Sequence, residues 1–178
     1  LNLKAIDSFQ RALIHFCIEL ARRNHKITVF NSTSINKSED GIDWVHFSEI
    51  SNFSDDPDVF IICNDTDFLD ITINAKLKLF WINSNINVFN YKNILVSLLK
   101  NNYILLYNSD SLVSTLPHNF KYVPKIKFQI GVNNDFFTNQ NFNINNCNAL
   151  VTTHPLKGLD WLLDIWINII SLKIPWAE

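Results

Sequence analysis

The feature that most constrains this chain is a series of short, mostly apolar runs, each closed by small polar residues, with helix-period stretches between them. The runs cover residues 27–30, 44–47, 59–63, 77–82 and 103–107, and β-branched and aromatic side chains are prominent in them. Such residues favour extended backbone, and runs this short match strands rather than helices. A strand that is apolar at consecutive positions has both faces covered, which is the condition of a parallel sheet flanked by helices. The pattern predicts an α/β fold on a doubly wound parallel, Rossmann-like sheet.

The intervening segments supply the helices. Phe9, Leu13, Phe16, Cys17 and Leu20 recur three and four apart and share one helix face. Asp7 with Gln10 offers a capping box, and Arg22 and Arg23 suit the negative end of the helix dipole. Further helices are expected over 68–75, 88–100 and 111–116, the last stopped by Pro117, and 122–123 and 126–130 read as final extended pieces. A doubly wound sheet ordinarily opens with a strand that becomes its centre. Here only Leu1 to Lys4 stand ahead of the first helix, so the central strand is expected to be missing.

Between residues 133 and 148 the pattern stops, and Asn, Gln and Thr dominate, as in a hinge or linker. A strand over 149–153 and an apolar helix over 158–172 follow, with Leu159, Leu162, Leu163, Trp166, Ile169 and Ile170 expected on its buried side. Residues 1–132 are therefore expected to form an N-terminal domain, and 149–178 the start of a second one that a lone strand and helix do not complete. The chain has no Met and begins with Leu1, so it reads as a fragment of a longer product.

With 178 residues, 47% of them hydrophobic, the chain has the apolar content to bury a core. A formal charge of −2 with scattered Lys and Arg excludes the basic patch that a nucleic-acid backbone requires. No run reaches the roughly 18 apolar residues of a membrane span, because Asp160 and Asp164 interrupt the greasiest segment. Peripheral membrane contact stays open. Cys17, Cys63 and Cys147 are odd in number and far apart, as expected of reduced thiols in a cytoplasmic protein. No metal spacing is present, and His15, His25, His46 and His118 have no partners at ligand spacing. GxSxG, HExxH, P-loop and GxGxxG motifs are all missing.

In open α/β sheets, ligands bind outside the carboxyl ends of the strands. Those turns hold Asn31 to Ser34, Asn64 to Asp67, Asn83 to Asn85 and Asn108 to Ser111, and together they could line one polar cleft, with Asp65, Asn83 and Asp110 as its named members. Taken singly, each is better read as capping the helix that follows, and only their collective position favours a site. The turn His154-Pro155-Leu156-Lys157-Gly158 is the most pointed candidate. Free amides at a helix start favour an anion, Gly158 lets a phosphate approach the backbone, and Lys157 adds a formal charge. A diphosphate fits that chemistry, and an ordinary solvated Lys before a helix-opening Gly fits the same residues.

The order of these features resembles a retaining glycosyltransferase of the GT-B type, in the large family four group of nucleotide-sugar enzymes. Glu19-Leu20-Ala21-Arg22-Arg23-Asn24-His25-Lys26-Ile27-Thr28-Val29 looks like the end of that family's first helix and its next strand. Ile130-Gly131-Val132-Asn133-Asn134-Asp135-Phe136-Phe137 looks like the segment before its interdomain crossing, and Leu156-Lys157-Gly158-Leu159 like the start of its donor-binding domain. Ile174-Pro175-Trp176-Ala177-Glu178 is similar to the family's next stretch.

The resemblance implies transfer of a sugar from a nucleotide-diphosphate donor to a glycan or lipid-linked acceptor, with the nucleotide sugar as substrate and no separate cofactor. It implies that Lys157 and Gly158 hold the donor diphosphate and that Gly131 lies near the cleft. The family's Gly-Gly turn is replaced by Ala5-Ile6-Asp7-Ser8, the His often found near the acceptor by Asn83 after Trp81-Ile82, and the usual Arg by Val151-Thr152-Thr153. No catalytic residue is assigned, and the carboxylates that hold the donor sugar are expected beyond Glu178, in the rest of the C-terminal domain. The isolated fragment is therefore expected to be inactive. The alternative is a non-catalytic α/β binding or interaction module derived from the same fold.

Overall fold

The structure, a computed structural model, describes residues 8–83, 90–131 and 158–176. The chain divides into two compact units, Leu1–Gly131 and Val132–Glu178. In the first unit, α1 (Ser8–Arg22) leads to β1 (Ile27–Asn31), β2 (Lys37–Glu39) and β3 (Ile42–His46). Then come β4 (Val59–Cys63), β5 (Leu77–Ile82), α2 (Tyr91–Lys100), β6 (Tyr103–Tyr107), α3 (Asp110–Ser114) and β7 (Lys125–Lys127).

The strands form two sheets rather than the one expected. The larger is all parallel in the order β4-β5-β6-β7, and it bears out the parallel α/β reading at the level of a Rossmann-like topology. The smaller has the order β1-β3-β2, with β1 parallel to β3 and β2 antiparallel to it. Strand β2 was not expected. Its turn is Asp40-Gly41, with φ of 56° and 75°, and a two-residue loop with two positive φ values matches the right-handed twist of a hairpin. Gly41 tolerates that φ, and an added Cβ would also meet the Ala21 Cβ at 3.4 Å.

The four-stranded sheet is covered on both faces, as consecutive apolar residues require. Side chains alternate along β5: Leu79 and Trp81 join Phe9, Leu13 and Phe16 of α1, while Phe80 and Ile82 join Ile94 and Leu98 of α2. Phe9, Phe16 and Phe128 surround Trp81 edge-on, at ring centroid distances of 5.3, 6.0 and 5.0 Å. On the other face Leu69, Leu112, Phe120 and Val123 complete the core. Helix α1 ends in a Schellman motif: Asn24, at φ 64°, donates to the Ala21 carbonyl, and His25 donates to that of Leu20.

Several boundaries differ from the expectation. The segment 68–75 is no helix; a 3-10 turn (Thr66–Phe68) precedes an irregular stretch that buries Leu69 and Ile73. Its Asp, Thr and Asn side chains compete with the helical backbone, and its isoleucines lose rotamer freedom in a helix. Asp70 instead accepts from Ser97 Oγ at 3.1 Å, and Leu69 O from Asn101 Nδ2 at 2.9 Å, which anchors α2. The piece near 122 is a 3-10 helix (His118–Tyr122), and the last strand is confined to Lys125–Lys127. The expected capping residue Asp7, the start of the 88–100 helix before Asn90, the 133–148 linker and the 149–153 strand lie outside the described residues.

In the second unit, α4 (Leu159–Ile165), a π-helical turn (Trp166–Ile170) and α5 (Ser171–Lys173) follow one another. The expected buried side is only half realised: Leu159, Leu162, Trp166 and Ile170 are half-buried, whereas Leu163 and Ile169 are exposed. A π turn inserts an extra residue into the helical ladder and rotates the residues after it, so a strict 3.6-residue face does not persist through it.

Candidate functional site at the carboxyl rim of the sheet

The parallel order β4-β5-β6-β7 brings the carboxyl ends of four strands to one rim, and each end carries a polar group. Chain reversal directly after β4 requires a left-handed residue, and Asn64 supplies it at φ 58°; Asn tolerates this conformation better than most residues. Its amide donates to the Trp81 carbonyl at 2.8 Å, extending the β4-β5 ladder by one step. Its side chain meets Asn83, whose backbone N–H donates to Asn64 Oδ1 at 2.9 Å while Asn64 Nδ2 donates to Asn83 Oδ1. The turns after β4 and β5 are thereby locked together.

The expected rim residues fall into separate groups. Asp65 Oδ1 accepts from the Asp67 amide at 3.1 Å and caps the 3-10 turn that follows. Asp110 opens α3 and pairs with Lys127 at the end of β7, and this carboxylate holds the lysine above its ordinary pKa. Ser109 Oγ lies 2.5 Å from Ser111 Oγ. Asn31, closing β1 in the smaller sheet, accepts from the Thr33 amide at 2.9 Å. Among the described residues, Asn64 and Asn83 touch each other, Asp65 is engaged in its own turn, and Asp110 reaches across to Lys127 of β7.

Lys127 is a rim residue that sequence reasoning missed. Its signal was weak, because its significance depends on β7 lying beside β6, which only the sheet order reveals. Gly131 closes the first unit in open surroundings. Gly158 precedes α4 at φ 94°, with nothing within 4 Å of an added Cβ, and its carbonyl accepts from the Leu162 amide at 3.1 Å. Lys157 and His154 lie outside the described residues.

Two thiols stand beneath the rim. Burial pushes the Cys63 thiol up to about 12, reinforced by neighbouring Cys17, which burial raises too. Both are free, and neither supplies a thiolate near neutral pH. Two of the described histidines are likewise committed: His46 Nδ1 accepts from the Ser48 amide at 3.2 Å, and His118 Nε2 lies 3.0 Å from Lys121 Nζ. Among the described residues no group of three His, Cys, Asp or Glu could hold a metal ion, and no helix is long and apolar enough to cross a membrane.

The fold and rim define an α/β protein with a Rossmann-like parallel sheet whose described carboxyl-end turns present amides, hydroxyls and a Lys127–Asp110 ion pair. Comparison with protein-family models, with curated proteins and with solved structures finds no match to this chain.

Proposed function

We propose that this chain is part of a cytoplasmic glycosyltransferase of the GT-B type that moves a sugar from a nucleotide-diphosphate donor to a glycan or lipid-linked acceptor. The observation that carries the reading is the row of Asn64, Asn83, Ser109 and Asp110 at the carboxyl rim of an all-parallel sheet. Open α/β sheets hold ligands at that rim, and amides and hydroxyls suit a hydroxyl-rich acceptor. In this reading Lys157 and Gly158 receive the donor diphosphate, and Gly131 lies near the cleft. Lys157 would stabilise the charge that develops on the leaving diphosphate.

A second reading, a binding module without catalysis, is favoured by the mutual hydrogen bonding of Asn64 and Asn83, which uses rim groups to hold the fold. Thermal-shift titration with UDP, GDP, ADP and dTDP separates the two. A nucleotide present at one hundred times its Kd stabilises the folded chain by about 2.7 kcal/mol. The transferase reading expects a rise with at least one nucleotide that Lys157→Ala removes. No shift with any of the four at millimolar concentration overturns it.

A further inference from the structure

The smaller sheet has a hollow on one face. Thr28 pairs in register with Asp43 and Phe30 with Val45, and Asp43 in turn with Ser38, so these side chains share one face of the β1-β3-β2 sheet. Ile42 and Trp44, which alternate to the opposite face, are buried, whereas Thr28, Phe30, Asp43 and Val45 are only half-buried. All four line a cavity of about 530 Å³, a size within the roughly 300–1,000 Å³ of sites that hold small organic molecules. Glu49, Phe53 and Asp55 contribute its other wall. Two links strap that wall to the sheet: Lys26 Nζ meets Asp55 Oδ2 at 3.1 Å, and Asn36 Nδ2 donates to Glu49 Oε1 at 2.8 Å. Asn36 is itself fixed, because its Oδ1 accepts from the His46 amide at 2.9 Å.

The lining combines aromatic rings with negative charge. Phe30 and Phe53 meet edge-on, with ring centroids 5.4 Å apart and ring planes at 83°. The face of an aromatic ring is the negative side of its quadrupole and attracts cations. Three carboxylates, Asp43, Glu49 and Asp55, and two ammonium groups, Lys26 and Lys37, surround these rings. Both lysines are engaged, Lys26 with Asp55 and Lys37 with Glu39, which is not part of the lining. Among the described residues, Asp43 and Glu49 are met by neutral donors, Ser38 Oγ and Asn36 Nδ2, and by no cation. An ionised carboxylate has about four acceptor positions, so each keeps capacity for a further donor.

We propose that this cavity binds a small organic ammonium ion, with its apolar body against Phe30, Val45 and Phe53 and its charged group taken by Asp43 and Glu49. The sign of the ligand follows from the existing pairs. An anion would first have to displace Asp55 from Lys26 or Glu39 from Lys37, and a neutral alcohol would leave the charges of Asp43 and Glu49 without a counter-charge. A cation gains both carboxylates and the ring faces with no pair broken. None of Asn64, Asn83, Ser109 and Asp110 lines the cavity, so the site stands or falls independently of the transferase reading.

The test is an NMR amide-shift titration of the full chain at low ionic strength with phenethylammonium, and in parallel with phenylacetate and 2-phenylethanol, which share its ring and differ in charge. The expected result is saturable shifts at Thr28, Phe30, Asp43, Val45 and Phe53 with phenethylammonium, and binding at least tenfold weaker for the anion and for the alcohol. Asp43→Asn and Glu49→Gln should each weaken phenethylammonium at least threefold. Glu49 is exposed, so its variant keeps the measurement open if Asp43→Asn does not fold. Absence of saturable shifts at millimolar phenethylammonium overturns the site, as do shifts confined to other residues. Equal binding of phenylacetate or 2-phenylethanol, or affinity untouched by Glu49→Gln, overturns the assignment of a cation.

Discussion

Asn64 and Asn83 hold the carboxyl ends of β4 and β5 together through two reciprocal hydrogen bonds, with Asn64 itself in the left-handed region at φ 58°. Asn64→Ala removes both bonds and places a Cβ-bearing residue without local side-chain compensation in a conformation that costs L-residues roughly 1–2 kcal/mol. With the lost bonds, each worth roughly 1 kcal/mol, the expected destabilisation is about 2–3 kcal/mol in urea unfolding. Asn64→Gly relieves the backbone and not the bonds, so it should fall between Ala and the native residue. If Ala and Gly are equally destabilising, the left-handed backbone is not a source of the cost.

The β2-β3 hairpin makes an independent prediction. Gly41 combines φ 75° with an Ala21 Cβ that would lie 3.4 Å from any added Cβ. Gly41→Val is expected to lower stability by about 2 kcal/mol or more, and Gly41→Asn by clearly less, since Asn accepts positive φ. Chemical denaturation of both variants checks the order.

Much of this fold was legible because strand signals are local. The runs at 59–63, 77–82 and 103–107 coincide with β4, β5 and β6, and consecutive apolar residues on β5 led correctly to a sheet covered on both faces. The β2 strand was missed because Lys37-Ser38-Glu39 carries no apolar signal; the Asp40-Gly41 pair, a strong hairpin turn, was the clue available. The segment at 68–75 misled because Leu69 and Ile73, four apart, match a helix while packing into the core from an irregular stretch. At the rim, polar residues after each strand were readable, but their pairing depends on sheet order, a non-local property. Nothing local reveals that Asn64 meets Asn83 or that Lys127 reaches Asp110.

Trp81 tests the packing of α1 on the sheet. It is 2% exposed and ringed by Phe9, Phe16 and Phe128, while its Nε1 has no hydrogen-bond partner among the described residues. Trp81→Ala leaves a large cavity and should cost about 3–5 kcal/mol. Trp81→Phe removes a smaller volume together with the unsatisfied donor, so its cost should stay below roughly 2 kcal/mol. Equal losses for the two variants, read from thermal or urea unfolding, would contradict this packing.

The buried thiol of Cys63 ties stability to alkaline pH. Burial first, and Cys17 second, raise its pKa to about 12 from an unfolded value near 9. The native state therefore keeps a proton that the unfolded chain gives up, and the sign follows: this contribution is fully present below pH 9 and is lost as pH rises from 9 to 12. The limiting slope is about 1.4 kcal/mol per pH unit for one proton. Tyr103, raised to about 12 by burial and by Asp70, adds a second proton to the upper part of the same window. Urea titrations at pH 8, 9, 10 and 11 should show stability falling across this range, and Cys63→Ala should flatten the part between pH 9 and 10 and roughly halve the slope above 10, where Tyr103 remains. A Cys63→Ala variant with the native pH profile would mean that the thiol is as accessible to solvent folded as unfolded.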